Sequence, residues 1–209
     1  KVSRIFDDIL DQISTTYART YDAQTGLWKH AWDSKRSIFW ADKKTGLSRH
    51  SWARAIGWFT MAMIEVLDAL PHDHARRGEL ITMLQNTLAA VIKCQDRETG
   101  VWRDVLDVDD ERNYFESTAS CMFAYCVLKG ARLGYLDGTF RAAGEKAWRG
   151  ILNNFIREEQ DGTISLTNCC SVSGLGPESN PKRDGSFDYY MSEPIRDNDA
   201  KGLGPFIWA

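Results

Sequence analysis

An arginine between two indoles is the pattern in this chain most suited to chemistry. It stands in Trp52-Ala-Arg54-Ala-Ile-Gly57-Trp58, where a helix is predicted to begin. A guanidinium offers a carboxylate two parallel hydrogen bonds in one plane. In the first helical turn, the free backbone amides and the helix dipole favour an anion as well. Trp58 follows Arg54 by four residues, the spacing of one helix face. Its ring could stack on a sugar or on the guanidinium. Trp52 has the wrong spacing for that face and reaches the site only if the helix is just starting there. By residue type alone, an ion pair for Arg54 and core packing for the indoles are equally open.

A second cluster precedes it. His30 lies in Gly26-Leu-Trp28-Lys29-His30-Ala-Trp32-Asp33, with both donor and acceptor capacity for a hydroxyl or a carboxylate. Five of the eight tryptophans fall between residues 28 and 58, a concentration that suits carbohydrate rings as well as packing. Trp32 and His50 are second-tier site candidates. His72 and His74 flank a loop after Pro71 and are expected to face solvent. Asp197, Asp199 and Lys201 are expected to shape a rim by ion pairing. Asn113 and Glu116 have capping-box spacing at a helix start. No paired-cysteine zinc spacing or phosphate loop is present, and no metal or cofactor is expected.

The elements that must position these groups are helices. Val2, Ile5, Phe6, Ile9, Leu10, Ile13 and Tyr17 recur at helical spacing. Further helices are predicted at about 51–70, 78–94, 114–133 and 139–156, with another opening at 202. Residues 157–201 read as loops, and no alternating strand pattern is convincing. The class is all-α. The segments Asp22-Ala-Gln-Thr25-Gly26, Asp42-Lys-Lys-Thr45-Gly46 and Asp96-Arg-Glu-Thr99-Gly100 echo one another. Asp caps backbone amides and Gly tolerates positive φ in such turns. A recurring helix, turn, helix unit suggests a toroid of helical hairpins.

Composition narrows the partners. The 209 residues carry a formal net charge of −3, which gives no broad attraction to nucleic acid or an anionic membrane. No apolar run approaches the ~20 residues of a membrane span. The five cysteines are odd in number. Read as buried thiols, they favour a reducing, cytoplasmic setting.

At Trp52-Ala-Arg54-Ala-Ile-Gly57-Trp58 the chain resembles the unsaturated rhamnogalacturonyl hydrolases, glycoside hydrolase family 105. More distantly, it is similar to the unsaturated glucuronyl hydrolases of family 88. The resemblance includes His30, the segment Asn113 to Tyr125, and Asp184 to Phe206. It implies an (α/α)6 barrel of twelve helices, of which residues 1–209 would be a C-terminal portion of one domain with about six or seven. It also implies His30, Trp52, Arg54 and Trp58 as substrate-binding residues. The general acid/base aspartate is expected upstream of residue 1, so no catalytic residue is expected in this chain. The implied substrate is a pectin-derived oligosaccharide ending in a 4,5-unsaturated uronic acid. Its vinyl ether would be hydrated, releasing the sugar acid. The missing half of the barrel or a second copy of the chain would be the protein partner. The competing reading is a non-catalytic sugar-binding or degenerate barrel module. Another (α/α)6 enzyme, a lyase or an epimerase, is a third.

Overall fold

The computed structural model describes residues 2–209, with side chains from residue 4 onward. The Val2 side chain of the first apolar stripe therefore lies outside the described part. Among the described residues there are seven helices. They are α1 (Val2–Thr20), α2 (Ala53–Ala69), α3 (Arg77–Lys93), α4 (Ser117–Arg132), α5 (Gly138–Phe155), α6 (Phe187–Ser192) and α7 (Ala200–Trp208). The predicted long helices all form, with ends shifted by one to three residues. The short α6 was read as loop, because six residues are too few to show a helical period.

α4 is the centre. Thirteen of its sixteen residues are buried, and it packs against α2, α3, α5 and α7. α1 adds its stripe of Leu10 and Ile13 to one core with Met63, Leu67, Leu84 and Met122. A second core gathers Ile56, Val91, Trp102, Phe123 and Ile151. A small third one holds Trp52, Val105, Cys170, Tyr189 and Tyr190.

Three antiparallel two-stranded ribbons join the helices. β1 (Tyr21–Asp22) pairs with β2 (Leu27–Trp28), and β3 (Ile156–Glu158) with β4 (Ile164–Leu166). β5 (Cys169–Cys170) pairs with β6 (Ile195–Arg196). Strands of two or three residues leave no alternation in a sequence, which is why none was predicted.

The three echoed segments adopt one turn. In each, the Asp carboxylate accepts the Thr hydroxyl just ahead of it and backbone N–H groups, one at Asp22 and two at Asp42 and Asp96. The Gly N–H then returns to the Asp carbonyl at 2.8, 2.8 and 3.1 Å. The glycines have φ of 70°, 83° and 78°, a region open to glycine at no steric cost.

Two expectations are corrected. Asn113 and Glu116 do not form a capping box at residue 114. Instead, Tyr114 and Phe115 continue an extended segment that bonds Asp104 and bridges Arg103. The helix starts three residues later, with Glu116 itself as the N-cap. The Asn113 amide is spent on the backbone of Val105 and Val108. His74 does not face solvent: its side chain is 11% exposed, 3.6 Å from Asp7, with Phe6 edge-on. All five cysteines are unpaired, and four are buried.

α5 crosses the third turn at Gly150, where an added Cβ would lie 2.1 Å from the Thr99 carbonyl oxygen. Gly to Ala inside a helix ordinarily stabilises by about 1 kcal/mol. Here the clash is with backbone that cannot yield, so Gly150→Ala is expected to destabilise by about 1–3 kcal/mol. Urea unfolding checks the sign.

Candidate functional site

The mouth of α2 is built by strand-like pairing from two directions. Trp52 bridges Val105, and the Ala53 N–H donates to the Asp104 carbonyl at 2.8 Å. Trp52 is thereby the N-cap residue, in extended conformation. That start brings it to the same place as Arg54, despite the two-residue spacing. The Arg54 guanidinium lies 5.2 Å from the Trp52 ring centre. The His30 ring lies 4.8 Å from the same indole. His30 arrives through its N–H bond to the His50 carbonyl at 3.1 Å. Its Nδ1 shares a 2.7 Å hydrogen bond with the Tyr190 hydroxyl. Tyr190 in turn lies 6.1 Å from Trp52, nearly parallel to it. His30, Trp52 and Arg54 thus share one cluster, with the indole in the middle.

Arg54 is only 1% exposed. Its Nη2 donates to Glu116 Oε1 at 3.2 Å and to the Cys170 carbonyl. One amino group of the expected clamp, Nη2, is therefore already engaged from inside by Glu116 and the β5 backbone, while Nε is buried without a hydrogen-bond partner among the described residues. Glu116 is saturated: Oε1 also accepts the Cys170 N–H at 2.8 Å, and Oε2 accepts the Ala119 N–H at 2.6 Å. A second carboxyl, Asp104, is fully buried beside this pair and accepts the Trp52 indole N–H at 2.9 Å. Burial, then the Glu116 charge, push it up to about 8, against the pull of Trp52 and Arg54.

A second network braces the His30 segment. Lys29 donates to Asp107 at 2.5 Å and pairs with Asp22 at 3.2 Å. His50 lies 3.3 Å from Asp107, which also accepts the Ser51 N–H at 3.1 Å. Burial would raise Asp107, but His50, Lys29 and Ser51 hold it down at about 2. His50 so supports the site from behind its backbone. Trp32 sits elsewhere: it donates to the Thr45 carbonyl at 3.1 Å beneath Arg19 and closes the second turn. Trp58 is 45% exposed. It shares a helix side with Arg54, but the guanidinium turns inward and leaves it apart. A cleft of about 740 Å³ is lined by Lys29, Trp40, Lys44 and Arg49, not by His30, Trp52 or Arg54. Near the chain end, Asp199 caps α7 and pairs with Lys201 at 2.8 Å. Asp197 pairs with Arg157 at 2.8 Å.

Tyr190, Asp104 and Glu116 as the partner of Arg54 were not identified as site residues from the sequence. Tyr190 lay inside the Asp184–Phe206 resemblance, which was the available signal. Asp104 follows the third echoed turn and had none.

The seven described helices match about half of an (α/α)6 toroid. The chain belongs to Glycosyl Hydrolase Family 88, whose description it matches over residues 1–209. A Clostridium acetobutylicum glycoside hydrolase from family 105 superimposes with a TM-score of 0.95 at 44% identity, over 99% of this chain and 57% of that one. The Agrobacterium fabrum protein Atu3128 is 40% identical over 98% of this chain and 89% of its own length. An unsaturated 3S-rhamnoglycuronyl hydrolase of Formosa agariphila is 21% identical over 97% of this chain. The chain spans 49% of that hydrolase, so it covers only about half of some relatives. No described helix is long and apolar enough to cross a membrane.

Two outcomes are expected. Glu116→Ala strands a buried guanidinium and removes a helix cap, so it should destabilise by about 3–5 kcal/mol in urea unfolding. Burial holds His30 down from 6.5 to about 4. Between those values the unfolded chain binds a proton at His30 that the folded chain refuses, so the contribution of His30 to stability declines as pH falls through that window. NMR titration should show a His30 ring that stays neutral until pH is near 4.

Proposed function

We propose that this chain supplies the uronate-binding half of a hydrolase that removes 4,5-unsaturated uronic acid from pectin-derived oligosaccharides. One observation carries the reading. His30, Trp52 and Arg54, expected from the resemblance to hold the sugar acid, converge on one indole. The surrounding chain is 44% identical to a family 105 hydrolase. The name of the Formosa relative shares the unsaturated glycuronyl part of that substrate.

In this reading half-buried, neutral His30 hydrogen-bonds the unsaturated sugar, and Trp52, itself 5% exposed, backs the imidazole. Arg54 lies 5.2 Å from the indole centre with its charge balanced by Glu116, so the pair acts on the sugar as a dipole. Protonation at C4 of the vinyl ether leaves positive charge at C5, shared with the ring oxygen. Water adds at C5, the hemiketal opens, and the aglycone leaves. One carboxyl group suffices to give the proton and then to activate water, unlike the paired carboxylates of common glycosidases. That group is assigned outside these 209 residues. Asp104 and Glu116 are fully buried and committed to Trp52 and Arg54, so neither is placed to reach a sugar.

The non-catalytic sugar-binding reading is favoured by one fact: this chain covers 89% of Atu3128, so a protein little longer than this one exists in Agrobacterium. A single assay separates the two. The native gene product, given an unsaturated rhamnogalacturonan disaccharide, is expected to abolish the absorbance of the double bond. Residues 1–209 alone are expected to bind the sugar without that loss. Unchanged absorbance with folded native protein sinks the enzyme reading. Turnover by residues 1–209 sinks the external proton donor.

A further inference from the structure

We propose that Asp104 is a positioning residue of this site and acts as a neutral carboxyl, fixing the Trp52 indole between His30 and Arg54. The kinetic part of this inference rests on the hydrolase reading above; the structural part does not.

Asp104 holds the mouth of α2 with both its backbone and its side chain. Its carbonyl accepts the Ala53 N–H at 2.8 Å, and its own N–H donates to the Tyr114 carbonyl at 3.0 Å. Its Oδ1 accepts the Trp52 Nε1–H at 2.9 Å. The residue is fully buried, and Oδ2 finds no hydrogen-bond partner among the described residues.

The charges at this place decide the protonation. One guanidinium meets two carboxyls. Glu116 contacts Arg54 directly and accepts two backbone N–H groups besides. Asp104 has a single donor, from an uncharged indole. Two carboxylates in one buried site do not both ionise, and the less solvated one keeps its proton. The groups facing Asp104 are Arg54 from α2, Glu116 at the cap of α4, Tyr114, Cys170 of β5 and Tyr190 of α6. Burial lifts Cys170 to about 11 and both tyrosines above their ordinary range, so none of these three ionises near neutrality. Asp104 is raised from 3.8 to about 8. The folded chain therefore keeps a proton that the unfolded chain releases. The contribution of Asp104 to stability falls as pH rises from 3.8 to about 8 and levels off beyond it.

An amide in this place should then do what the carboxyl does, without the pH dependence. Thermal unfolding of wild type and Asp104→Asn between about pH 5 and 9 reads this directly. The Asn variant is expected to gain on wild type up to about pH 8, after which the gap holds steady. A gap independent of pH, or an Asn variant that does not fold, overturns the neutral carboxyl. Kinetics of the native gene product read the positioning. Asp104→Val, with no acceptor, is expected to raise KM about tenfold with less change in kcat, and Asp104→Asn to rescue it. Equal KM for the Val and Asn variants overturns positioning. Should Asp104→Val fail to fold, the emission of Trp52, taken as wild type minus Trp52→Phe, replaces it. That emission is expected to shift as Asp104 ionises and to stay constant in Asp104→Asn; a constant emission in both overturns positioning. Should every folded protein lack turnover, the hydrolase reading falls, while the pH-dependent gap and the Trp52 emission still decide the role of Asp104.

Discussion

The buried pair between Arg54 and Glu116 is the constraint on which the site depends. It joins the start of α2 to the start of α4, and Glu116 extends it to the β5 backbone. Three elements far apart in sequence are thereby fixed by one carboxylate. Ion pairs taken out of water contribute little net stability, because desolvation offsets their attraction. What such a pair does supply is register. An unpaired charge on either side would be so unfavourable that only the arrangement that satisfies both survives.

Around that pair the site is layered. Glu116 lies innermost and pairs with Arg54, Asp104 holds the N–H edge of the indole directly, and the Trp52 ring contacts both the guanidinium and His30. The charge beside the indole is balanced by Glu116 at 3.2 Å, so the pair acts on the site as a dipole. His30 is kept neutral by the same burial, which preserves one donor and one acceptor on its ring. The Lys29, Asp107 and His50 network performs a different task. It anchors the backbone that delivers His30, and Asp107 stays ionised to do so.

Much of the fold was legible from apolar spacing. α2 to α5 are long enough for a helical stripe to show, and their cores are the stripes seen in the sequence. The recurring Asp-Thr-Gly segments were legible too, because the turn is encoded locally by a carboxylate, a hydroxyl and a left-handed glycine. What was not legible is what depends on distant partners. The capping of α4 was misplaced because Tyr114 and Phe115 are recruited by Arg103 and Asp104, which no local pattern announces. Arg54 was rightly placed at a helix mouth, but its occupation by Glu116, 62 residues away, is invisible to spacing. Residue type and neighbourhood group Trp32 and Trp58 with His30 and Arg54; in the fold one closes a turn and the other stands exposed, apart from the Trp52 cluster. Tyr190 escaped notice because a tyrosine in a loop-rich stretch carries no periodic signal.

The His30–Tyr190 hydrogen bond closes a loop of 160 residues. At ribosomal speeds of about 5–20 residues per second, roughly 8–32 s separate the emergence of those two side chains. Throughout that interval the imidazole segment waits without its phenolic partner, and so does the indole it leans on. A nascent chain can therefore form α1 to α5 before the corner around His30, Trp52 and Tyr190 is able to close.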